Sequence, residues 1–108
     1  MTALSPSDIY QKLITAGTEW AEANAAADLF EETKKVVLSK LADETDGSMA
    51  AREAHAFRHP DYLKHVKSMV EARKIANIAK VRYASIQTFV DLMRTKEASE
   101  RAANKHAT

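Results

Sequence analysis

Residues 60–93, PDYLKHVKSMVEARKIANIAKVRYASIQTFVDLM, form the longest apolar-striped run of the chain. Pro60 lacks an N–H and has a fixed φ, which suits the first turn of a helix, and Asp61 favours the positive end of the helix dipole. No Gly or Pro follows before the sequence ends. One row of helical spacing runs through Leu63, Val66, Met69, Val70, Ile75, Ile78, Ile86, Phe89, Val90 and Met93. A second runs through Tyr62, Ala72, Ala76, Ala79 and Tyr83. Two overlapping rows make a face wider than a two-stranded seam requires, and a wide face touches two neighbours. At ~1.5 Å per residue this helix extends roughly 50 Å.

Upstream, Ser5-Pro6-Ser7-Asp8 is a helix start, with Ser5 as cap, Pro6 at the first helical position and Asp8 three residues after the cap. From there Ile9, Leu13, Ala16, Trp20, Ala23, Ala27, Phe30, Lys34, Val37 and Leu41 alternate spacings of four and three, a heptad seam. Its middle is built of small residues, Ala21, Ala23, Ala25, Ala26 and Ala27. Gly17 lies beside it at a cost of ~1 kcal/mol against Ala. The sequence predicts a long helix over residues 6–45. Gly47 is expected to end it in a left-handed conformation. A short helix capped by Ser48 is predicted over residues 48–58, broken at His59-Pro60. A second long helix is predicted over residues 60–95, and the polar remainder, residues 96–108, is expected to fray.

The 108 residues suit one domain. The fold class is all-α: a long antiparallel, coiled-coil-like hairpin with a short connecting helix, dimerising into a four-helix bundle. If facing residues have numbers adding to about 104, Trp20 falls beside Tyr83 and Ile86, and Val37 beside Val66 and Met69. Ala23 and Ala27 fall opposite Ile78 and Val81, small against large. The same register sets Glu19, Glu22, Asp28, Glu31 and Glu32 along Arg73, Lys74, Lys80 and Arg82.

That pairing bears on charge. The net charge is +1, yet residues 1–59 carry ten acids against six Lys/Arg and residues 60–108 carry five against ten. A basic second half points to nucleic acid when read alone. Exposed pairs with the acids of the first helix explain most of it and fix register, at ~0–1 kcal/mol each. The positions left for nucleic acid or a partner are Lys64, Lys67, Arg52, Arg58, His55 and His59. A dimer or partner interface is expected at Ile75, Ile78, Ile86, Phe89 and Met93, where an apolar face exceeds what one neighbour covers.

Chemistry has little to work with. There is no cysteine, hence no disulfide and no thiolate, in keeping with a reducing cytoplasm. No secretory signal or membrane-length apolar run is present. His55 and His59 are four apart and could share a metal on an unbroken helix, but Pro60 is expected to part them and no HExxH pattern is formed. No glycine-rich phosphate loop or nucleophile set occurs. No enzyme activity, cofactor or metal is expected.

Ser48, Arg52-Glu53-Ala54, Ala56, Asp61-Tyr62, Val70-Glu71-Ala72, Arg94-Thr95, Ala98 and Glu100-Arg101 give residues 48–102 a pattern. It resembles small helical proteins of tailed bacteriophages and prophages. The resemblance implies a cytoplasmic accessory protein in a bacterial host, working through a protein partner beside DNA replication or recombination. An inhibitor of a host defence protein, such as a CRISPR effector, is the alternative, and direct nucleic-acid binding is another.

Overall fold

The computed structural model describes residues 5–107. It is all-α, a helical hairpin of α1 (Pro6–Ala42), α2 (Met49–Arg58) and α3 (Pro60–Ala107), with no strand among the described residues.

Each boundary has a local cause. At the start of α1, the Asp8 N–H donates to Ser5 Oγ (3.1 Å), while the Ser5 hydroxyl and N–H both donate to the Asp8 carboxylate (2.9 and 3.2 Å). This reciprocal box satisfies donors that every helix N-terminus leaves orphaned. Helix α1 ends at Ala42, earlier than expected, through short-range bonds from Glu44 N–H to Leu41 O and Thr45 N–H to Ala42 O. Gly47 does take a positive φ of 122°. It stands just before the α2 cap rather than at the end of α1, so it turns the loop into α2 instead of stopping α1. Ser48 Oγ accepts the Ala51 N–H at 3.2 Å. Between α2 and α3 only His59 leaves helical geometry, with φ −69° and ψ 136°, as a residue preceding proline does.

Helix α3 does not stop near Thr95; it continues to Ala107. The expected frayed tail is helical because Ala, Lys, Glu and Arg are strong helix formers and no breaker interrupts them. Lys105 and His106 in the last turn complement the dipole.

The chain packs as two compact units. The first combines Met1–Trp20 with Ile78–Thr108, and the second is Ala21–Asn77. In the first unit, Trp20 stacks on Tyr83 with ring centroids 5.6 Å apart, and Lys80 Nζ stands 6.0 Å from the Trp20 ring. The Tyr83 ring also lies against Gly17, where the assumed register would place Ala21. In the second unit, Phe30 meets His65 edge-on, and the His65 Nε2–H donates to Phe30 O at 2.8 Å. The assumed register would put Ser39 there. Trp20 beside Tyr83 is the pair that register predicts, and Arg73 reaches Glu31 on the same register, whereas the Phe30–His65 contact is displaced from it.

All ten seam positions of α1, from Ile9 to Leu41, are buried or half-buried. The α3 seam draws on both rows: Tyr62, Ala72, Ala76, Ala79 and Tyr83 of the second are covered, and so are Val66, Met69, Ile86, Val90 and Met93 of the first. Full burial falls almost wholly on small residues, Ala16, Ala27, Ala56, Ala76 and Ala79 with Leu41. Ile78 and Val81, expected opposite Ala23 and Ala27, are exposed, and the fully buried positions of α3 are Ala76 and Ala79. Bulkier seam residues such as Trp20, Phe30, Met69 and Tyr83 are half-buried, while Ile78, Val81, Phe89 and Leu92 are exposed.

Candidate interaction site

These exposed residues form the outer row of α3. Within the first unit Ile78, Val81, Phe89 and Leu92 are all exposed, Val81 at 65% and Phe89 at 49%. With Ser85 between them they are spaced three, four, four and three apart, one continuous helical face. The polar residues along it do little to interrupt it. Ser85 Oγ donates to Val81 O (2.8 Å) and Thr88 Oγ1 to Ala84 O (3.0 Å), so both hydroxyl protons are used on the helix's own carbonyls. Of the five positions expected at an interface, Ile75, Ile78 and Phe89 are exposed. Ile86 and Met93 are half-buried in the seam. Sequence reasoning assigned Val81 to the interior and did not name Leu92. The signal that could have found them is the eleven-residue spacing of Val70, Val81 and Leu92, which keeps residues on one line of a straight helix.

The charged residues divide by unit. In the first, Arg82 pairs with Glu19 at 3.3 Å. In the second, Arg73 reaches three partners on α1: Asn24 Oδ1 (2.9 Å), Asp28 (2.7 Å) and Glu31 (3.0 Å). These hydrogen bonds, Glu31 first and Asp28 next, raise the Arg73 pKa. The expected pairing of α3 bases with α1 acids is formed at these two arginines. Lys64, Lys67 and Lys74 are exposed and make no ion pair among the described residues.

The elbow of the second unit is more ordered than its sequence suggests. Arg52 Nε donates to Ala42 O (3.1 Å) and its Nη2 to Asp43 (2.6 Å), closing the C-terminus of α1 from α2. Arg58 Nε turns back to Ala54 O at 3.1 Å. Beside Arg52, a groove of about 520 Å³ is lined by Leu38, Ala42, Met49, Ala56 and Phe57 among others. Phe57 itself stacks edge-on against Tyr62. His59 Nδ1 accepts the Asp61 N–H at 3.0 Å, which makes His59 the N-cap of α3. Pro60 does not part the two histidines: the rings of His55 and His59 lie 5.7 Å apart, and Glu44 joins them. Arg52, Arg58 and His59 thus have structural partners, leaving Lys64 and Lys67 as the freest of the charged candidates.

No helix among the described residues is long and apolar enough to cross a membrane. The chain matches no family model, no curated protein and no solved structure.

Proposed function

We propose that the protein acts by protein–protein contact, first with a second copy of itself, through the outer row of α3. The observation that carries this reading is the exposed line Ile78, Val81, Phe89 and Leu92, on a hairpin whose fully buried positions are alanines and one leucine. Contiguous apolar surface of this kind marks an interface. A second copy would cover it in the manner of a four-helix bundle, where each helix touches two neighbours. A two-fold pairing is self-complementary, so one row serves both partners. Sedimentation of the purified chain at micromolar concentration is expected to give a dimer, and Ile78→Lys with Phe89→Lys a monomer of unchanged helicity. A monomeric wild-type chain would sink the proposal.

The resemblance of residues 48–102 to bacteriophage helical proteins supports a role as a phage accessory factor. Such a dimer would present its elbows to a protein of DNA replication or recombination. Co-purification from infected cells, with partners identified by mass, tests that role. The three unpaired lysines Lys64, Lys67 and Lys74 favour one second reading, contact with a nucleic-acid backbone. It requires affinity that falls steeply with salt and drops in Lys64→Glu with Lys67→Glu. Absence of a mobility shift at low salt excludes it.

A further inference from the structure

We propose that the elbow holds a divalent transition metal of the zinc type, bound by Glu44, His55 and His59. One ligand atom from each of the three side chains lies within 4.8 Å of the other two. Four-coordinate zinc with bonds of about 2.1 Å keeps its donors about 3.4 Å apart. The Glu44 Oε2 and His59 Nε2 are already at 3.8 Å. Glu44 sits on an exposed turn, and small rotations of the three side chains would complete the approach.

The three elements supply the ligands independently. Glu44 follows the last turn of α1, His55 lies on α2, and His59 is the hinge residue before α3. Two imidazoles and one carboxylate are a zinc donor set that leaves a fourth position for water. The same set excludes magnesium and calcium, which take oxygen ligands.

The geometry also names an outer partner. A histidine that binds metal through Nε2 must carry its proton on Nδ1 and donate it. In the structure Nδ1 instead accepts the Asp61 N–H at 3.0 Å. The Asp61 carboxylate stands 3.8 Å from that same nitrogen. Metal loading exchanges one bond for the other: Nδ1 gives up the backbone N–H and donates to Asp61 Oδ2. Asp61 is then the positioning residue for His59, and the metal clips all three helices at one point.

The test is calorimetric titration of zinc chloride into the full chain after treatment with chelator, with magnesium chloride as the control. One zinc per chain is expected, and no heat from magnesium. His55→Ala and Glu44→Gln should each weaken zinc by more than about tenfold, and Asp61→Asn by about 10–100-fold. His55→Gln repeats the first variant with a helix-compatible side chain, and circular dichroism of each variant should match the wild type. His65→Ala and His106→Ala should leave the affinity unchanged. Absence of zinc binding, or binding that survives His55→Ala and His55→Gln, overturns the site.

Discussion

Gly17 is the residue whose presence costs most by propensity and is best explained by contact. A Cβ built there would stand 3.3 Å from Tyr83 Cε2, tighter than ordinary packing. Gly17→Ala gains ~1 kcal/mol of helix propensity and gives much of it back by displacing the Tyr83 ring from Trp20. A melting temperature within a few degrees of wild type is therefore expected. Gly17→Leu has no such compensation and should destabilise by ~1–3 kcal/mol in urea titration. At the other end of α1, the Ser5 hydroxyl, followed by the Ser5 N–H, holds the Asp8 carboxyl below its ordinary pKa. A depressed carboxylate pKa contributes stability that is present above the unfolded value and lost as pH falls through the folded one. Carboxyl NMR should show Asp8 titrating below the ordinary aspartate value, and Ser5→Ala should return it toward that value. Protection of the first α1 amides should fall in the same acid range.

Among the elements, α3 shows where sequence reading succeeds and where it stops. Pro60, the apolar spacing and the missing breakers fix its existence and its start. Its end does not follow from the polarity of residues 96–108, because helix propensity does not depend on a buried face. The α1 seam was legible position by position, since a single heptad row has one reading. On α3 two rows compete, and hydrophobicity alone favours the bulky one. Full burial on α3 falls to Ala76 and Ala79 of the second row, and the first row divides between covered and exposed residues. Ala27 is fully buried, so Ala27→Leu should force the helices apart and cost ~1–3 kcal/mol, read as a lower midpoint in urea. Leu92→Ala, on the outer row, should leave that midpoint unchanged in the monomeric Ile78→Lys, Phe89→Lys background. The elbow was least legible. Arg52 closing α1 and His59 capping α3 depend on contacts across a turn, which no spacing rule within one helix reveals.

For the molecule as a whole, composition and pattern reach the fold class but not a partner, because any helical surface satisfies them. The exposed row narrows the question to association. If a second copy covers it, thermal stability should rise with protein concentration, and a scan from low to high micromolar should move the midpoint upward. The alanine interior has a further thermodynamic consequence. Among the described residues Leu41 is the one large buried side chain. Heat capacity of unfolding follows the apolar area newly exposed to water, and alanines release little of it. The isolated chain should therefore have a flat stability curve, changing slowly from the cold to physiological temperature. Association would bury Ile78, Val81, Phe89 and Leu92 of the outer row, and most of the curvature would then be acquired with the partner.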